Sequence, residues 1–250
     1  MLKVINLNKK YGDKQVLDNI SMEFACGEST AVVGESGSGK TTLAKIIIGL
    51  EKQDSGQVLL NNKQLTALKN RPFNQCAKIQ YIFQDPYSAL ESNYTVLKTL
   101  KETTAICRRN KYKHISIEEA LGYVDENLLN YLSEKVEVLS GGQRQKLCIA
   151  RSLITNPNII IADECTSMLD EKSSEEIYGL LNKIKEDKKI ILISIMHEID
   201  FLKDSWDKIA VIKDGNLLEH KEFKRFYETA ETEYSLKLIE AYKYFKGRLE

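Results

Sequence analysis

Apolar residues fall along this chain in two patterns. Ile159-Ile160-Ile161-Ala162 and Ile190-Ile191-Leu192-Ile193 are unbroken apolar runs. Successive strand residues point to opposite faces, so a run with no polar member must be covered on both, which predicts a buried parallel sheet. Each isoleucine buried there contributes roughly 1.5–3 kcal/mol. Residues 2–7 and 16–24 read as strands ahead of a third, 29–33. That third run enters the glycine-rich stretch Gly34-Glu35-Ser36-Gly37-Ser38-Gly39-Lys40-Thr41, and the apolar, helix-like residues 42–50 follow.

From about residue 94 to 138 the chain turns polar and helix-prone, with Ser116 placed to cap a helix and Glu119 three residues on. This predicts a helical subdomain, 94–155, inserted into a sheet core formed by 1–93 and 156–220. Residues 209–212 followed by Lys213-Asp214-Gly215-Asn216 read as a strand entering a tight hairpin, with Gly215 supplying a positive φ. The tail, 221–250, alternates charged and apolar residues and reads as helical. The expected class is α/β: one domain over 1–250, with a mixed sheet core, an antiparallel β subdomain and the inserted α-helical subdomain.

Charge adds a constraint. Lys plus Arg and Asp plus Glu both total 36, so no overall field favours a polyanion and any such ligand must be met locally. The basic cluster Arg108, Arg109, Lys111 and Lys113 around Tyr112 reads as a solvated helix face, since phosphate-backbone binding needs a larger basic field; nucleic acid is not an expected partner. Five cysteines, Cys26, Cys76, Cys107, Cys148 and Cys165, form no CxxC pair and read as reduced thiols. No apolar signal core opens the sequence and no run is long enough to span a bilayer, so a membrane role is expected to come through a partner.

Three stretches carry chemistry. The glycine-rich one matches GxxxxGK[ST] and lies between a strand and a helix, where backbone N–H groups can enclose phosphates. Lys40 would bridge the β- and γ-phosphates, Thr41 would ligate Mg²⁺, and Gly37 and Gly39 would let the backbone approach. The second, residues 159–164, ends in two acids. Strand alternation would aim them differently, Asp163 toward Mg²⁺ through a water and Glu164 toward the γ-phosphate as general base. The third, Leu139-Ser140-Gly141-Gly142-Gln143, opens another helix. Its Ser140 and the amides of Gly141 and Gly142 suit a γ-phosphate on a neighbouring chain.

With these elements in order, the chain resembles the nucleotide-binding subunits of ABC transporters over nearly its whole length. The resemblance implies a P-loop NTPase of the ABC type that binds ATP and Mg²⁺ and hydrolyses ATP. It makes Gly34 to Thr42 the Walker A loop, with Glu35, Ser36, Ser38 and Thr42 among its nucleotide contacts. Residues 159–164 become Walker B, and Ser140, Gly141, Gly142 and Gln143 belong to the signature. It also implies that Gln84 is the Q-loop glutamine at Mg²⁺ and the attacking water, that Ser167-Met168-Leu169-Asp170 is the D-loop, that His197 senses the γ-phosphate, and that Tyr11 stacks on adenine. Two such subunits, identical or homologous, would close on two ATP molecules beside two transmembrane permeases. An extracellular substrate-binding protein would complete the assembly, placing this chain at the cytoplasmic face of the membrane.

Gln84-Asp85-Pro86-Tyr87-Ser88-Ala89-Leu90 with Thr95-Val96 resembles the oligopeptide and nickel importer subfamily, as does Glu233-Tyr234-Ser235-Leu236-Lys237-Leu238-Ile239. Glu91-Ser92 stands where that subfamily commonly has Asn-Pro, and Cys165 where the family usually has proline. The resemblance extends to the ATPases of metal–metallophore importers of the staphylopine kind, with metal, metal chelate (nickel, cobalt, zinc) or peptide as cargo.

Overall fold

A computed structural model describes residues 1–196 and 206–246, so His197 lies outside the described residues. In chain order the first elements are β1 (Leu2–Tyr11), β2 (Lys14–Phe24), β3 (Ser29–Val33), α1 (Lys40–Ile48), β4 (Ser55–Leu60) and β5 (Lys63–Gln64). Then come α2 (Phe73–Cys76), β6 (Ile79–Ile82), α3 (Pro86–Ala89), α4 (Val96–Arg109), α5 (Ile117–Val124) and α6 (Gly141–Ile154). The last are β7 (Ile159–Asp163), α7 (Glu171–Lys188), β8 (Ile191–Met196), β9 (Lys208–Lys213), β10 (Asn216–Glu222), α8 (Phe223–Thr229) and α9 (Glu233–Lys246). Packing divides the chain at Arg71 and Ile190 into one unit of Met1–Arg71 with Ile191–Glu250 and a second of Pro72–Ile190.

The first unit holds two sheets. One is antiparallel, in the order β2-β1-β4-β5, and carries polar residues on its open face. The other is mixed: β3 runs parallel to both β8 and β9, and β10 closes antiparallel on β9. All five residues of β3 and all six of β8 are buried, including the small polar Ser29, Thr30 and Ser194. Asp214 (φ 48°) and Gly215 (φ 79°) form the two-residue hairpin after β9, both left-handed, the conformation that matches strand twist. Gly215 also donates its N–H to the Ser38 carbonyl at 3.1 Å, so this hairpin braces the glycine-rich loop.

In the second unit β6 and β7 pair in parallel, with Tyr81 opposite Ile161 and Ile82 opposite Ala162. Helices α4, α5 and α6 pack together, and Ser116 caps α5 by accepting from the Glu119 N–H at 3.0 Å. Asp170 caps α7 by accepting from the Ser173 N–H at 2.9 Å. None of the described helices is long and apolar enough to cross a membrane.

The tail is two helices rather than one, and a buried carboxylate fixes the break. Glu219 Oε1 accepts from the N–H groups of Glu231 and Thr232, both at 3.1 Å, and from the Thr232 hydroxyl at 3.0 Å. Its Oε2 lies 2.7 Å from Lys221 Nζ. Burial alone would raise this carboxyl, but the Lys221 ammonium and the converging donors outweigh it and hold the group down to about 2. A depressed carboxyl stabilises the fold above its unfolded value near 4.5, and the contribution is lost as pH falls toward about 2. Glu219→Gln is therefore expected to cost about 1–3 kcal/mol at neutral pH, since Lys221 loses its charged partner. The deficit against the parent should shrink below about pH 4.5, which thermal melts at descending pH measure directly.

Candidate functional site

The site residues fall in both units. In the first, β3 delivers its chain end into a loop whose backbone is pressed against neighbouring strands. A Cβ at Gly34 (φ 154°) would lie 2.0 Å from the Ile212 carbonyl oxygen, and one at Gly39 (φ 106°) would lie 2.5 Å from that of Val16. Only glycine fits there. Gly37 (φ 80°) is the opposite case: a Cβ would meet nothing within 4 Å, and the loop tip Glu35-Ser36-Gly37 is exposed. Helix α1 starts at Lys40 with no side-chain cap at Gly39 and no acid in its first turn. Its first N–H groups and positive dipole end are therefore left for an anion.

The buried Lys40 side chain donates to the carbonyls of Gly34 at 2.7 Å and Glu35 at 2.9 Å, which holds the ammonium inside the loop. Ser38 Oγ is buried and has no hydrogen-bond partner among the described residues. An unpaired hydroxyl, an uncapped helix start and a retained ammonium fit the oxygens of a triphosphate. Tyr11, at the end of β1, keeps 47% of its surface exposed, so one ring face is open to stacking. Lys9 Nζ sits 4.8 Å from its ring centre and 2.8 Å from Glu51 Oε1.

In the second unit the two acids lie where β7 ends. Strand alternation does not set their divergence. Asp163 is the last strand residue, and Glu164 turns out of the strand in a left-handed conformation with φ 47°. Gln84, just beyond β6, donates its amide to Glu164 Oε2 at 3.1 Å and to Ser167 Oγ at 3.3 Å. Tyr81 donates its hydroxyl to Asp163 Oδ2. Burial, reinforced by the Asp163 carboxylate, pushes this phenol well above its ordinary value, so it remains a donor.

Ser140 caps α6: its Oγ accepts from the Gln143 N–H at 3.3 Å, and Gln143 Oε1 accepts from the Ser140 N–H at 2.9 Å. That reciprocal box fixes the stretch as a helix start and leaves the Ser140 proton to donate outward. Arg144 holds it from behind, donating to the Leu139 carbonyl at 3.1 Å and the Glu137 carbonyl at 2.8 Å. Its guanidinium stacks 4.5 Å over the ring of Tyr87.

Tyr81 and Arg144 escaped the sequence reading. A tyrosine flanked by isoleucines in the short stretch Ile79-Gln80-Tyr81-Ile82 is a weak signal, since a buried phenol needs a partner. Arg144 gives none. Cys165 is buried, and burial pushes its thiol up to about 12, so it stays protonated at neutral pH. In the basic cluster, Arg108 and Arg109 close α4, where cations favour the helix dipole, and Tyr112 packs edge-on against Phe73.

A glycine-rich loop between β3 and α1, with a strand ending in two acids, defines the class of P-loop ATPases. The family model described as ABC transporter matches residues 17–167, and the chain belongs to this family. The phosphonates import ATP-binding protein PhnC of Fusobacterium nucleatum is 34% identical, over 88% of this chain and 92% of its own length. The oligopeptide transport ATP-binding protein OppF of Streptococcus pyogenes is 33% identical, over 96% and 81%. Among solved structures, cbiO1 of Clostridium perfringens, part of the ABC transporter complex cbiONQ, superposes with a TM-score of 0.79 at 28% identity, covering 94% of this chain and 92% of that one. The chain has the fold of this family and its ATPase activity, with ATP and Mg²⁺ as ligands.

Glu164→Gln is expected to keep ATP binding while cutting turnover by roughly 10²- to 10⁴-fold, the contribution of a positioned base. Steady-state phosphate release beside equilibrium ATP binding measures the split, and near-normal turnover would remove Glu164 from the reaction.

Proposed function

We propose that this chain is the ATP-hydrolysing subunit of an ABC importer of the oligopeptide and nickel type, carrying metal, metal chelate or peptide. The observation behind this reading is the match to OppF over 96% of the chain, together with the Gln84 to Val96 stretch. In that stretch Asp85 caps α3 by accepting from the N–H groups of Tyr87 at 2.8 Å and Ser88 at 3.2 Å. Import by the relative PhnC supports the direction of transport.

In this reading Glu35, Ser36, Gly37, Ser38, Gly39, Lys40, Thr41 and Thr42 bind the triphosphate, and Tyr11 stacks on the base. Thr41, Asp163 and Gln84 would hold Mg²⁺, which when bound neutralises charge on the β- and γ-phosphate oxygens. Glu164 takes the proton of the attacking water, and Gln84 orients that carboxylate. Ser140, Gly141, Gly142 and Gln143 serve the ATP of a second ATPase subunit, and His197 is the γ-phosphate sensor. Energy reaches the cargo through two permeases and a binding protein, so the cargo need not touch this chain. That arrangement sets the chain at the cytoplasmic face of the membrane.

Uptake of labelled nickel, cobalt and zinc, free or chelated, and of labelled peptides, in cells with and without this chain, tests the reading. Loss of uptake of one such cargo is expected, and unchanged uptake of all of them would contradict the import function.

A further inference from the structure

The pairing of β6 with β7 brings a second side chain to the acid pair. Tyr81 stands opposite Ile161 in the parallel register, and Asp163 lies two residues beyond Ile161 on the same strand face. That diagonal is within reach of an aromatic side chain. The Tyr81 hydroxyl closes it with a hydrogen bond to Asp163 Oδ2, in a setting where the tyrosine is 8% and the aspartate 6% exposed. Three residues along, Gln84 makes the equivalent contact to Glu164. One strand and its exit thus place a hydrogen-bond donor on each acid.

We propose that Tyr81 is a positioning residue for magnesium: its hydroxyl fixes the Asp163 carboxylate in the orientation that receives the hydrated ion. The proposal rests on the metal-holding role given above to Asp163. Partners that orient metal-binding groups typically contribute 10- to 100-fold in metal affinity or activity. Packing alone does not account for the contact. The ring already meets Phe83, with ring centres 4.8 Å apart, and a phenylalanine would keep that packing while removing only the hydroxyl. Removing the hydroxyl takes away one fixed donor on Oδ2 and widens the range of orientations that Mg²⁺ binding must narrow.

Tyr81→Phe is the test, in the full chain, with ATP and magnesium chloride as probes. ATP affinity is measured by equilibrium binding in EDTA and across a Mg²⁺ titration, beside thermal melts and steady-state turnover against Mg²⁺. The metal-free affinity should be unchanged and the half-saturating Mg²⁺ concentration raised about tenfold, with turnover restored at saturating Mg²⁺. Tyr81→Met, which also fills the site without a hydroxyl, should show the same shift, so a folding defect peculiar to one variant is separated from the effect. Equal half-saturation in parent and variants would overturn the role of Tyr81 alone. A parent protein whose ATP affinity does not respond to Mg²⁺ would overturn the metal role of Asp163 with it.

Discussion

Two backbone positions with no room for a side chain decide where the phosphate loop stands. At Gly34 and Gly39 the chain runs against carbonyls of β9 and β2, and the hairpin after β9 returns a hydrogen bond from Gly215 to Ser38. The loop is therefore shaped by its neighbours before any nucleotide arrives. Its conformation draws the Lys40 ammonium inward, onto two carbonyls of the loop itself. A triphosphate would offer that ammonium charged acceptors, which bind more strongly than the two carbonyls.

The acids of the second unit follow the same logic of fixing a group before it is used. Gln84 holds Glu164, Tyr81 holds Asp163, and the left-handed turn at Glu164 separates the two carboxylates. At the start of α6, Ser140 and Gln143 satisfy each other while Arg144 braces the preceding carbonyls. Each of these pieces spends hydrogen bonds on preorganisation, which lowers what must be rearranged when charge shifts on a phosphate.

Much of this was legible in the residues. The buried strand 29–33 appears with the same bounds, because every position is apolar or small and buried. The turn at Asp214 and Gly215 appears as its composition requires. Other features depend on contacts remote in sequence. Polar Asn8, Lys9 and Lys10 disguised the end of β1, which an antiparallel ladder extends to Tyr11. Helix α1 begins two residues earlier than its apolar pattern, since Lys40 and Thr41 follow the loop rather than the core. Locally the break between α8 and α9 shows only as Thr232, which caps α9 by accepting from the Ser235 N–H at 3.2 Å; Glu219 anchors that turn from β10. The geometry at Asp163 and Glu164 was missed for a related reason: the strand pattern continues on paper, while the backbone leaves it at Glu164. The family signatures located the chemistry, but Tyr81 and Arg144, which hold it in place, are visible only in three dimensions.

Everything else in this reading depends on one contact, the ATP phosphates held by the loop from Gly34 to Thr42 with Lys40 as the charged partner. Equilibrium binding of ATP to the parent chain and to Lys40→Ala tests it most directly. A charge-assisted contact contributes about 1.5–3 kcal/mol, so the variant should bind roughly 10- to 100-fold more weakly. Equal affinity in the two proteins would contradict the account.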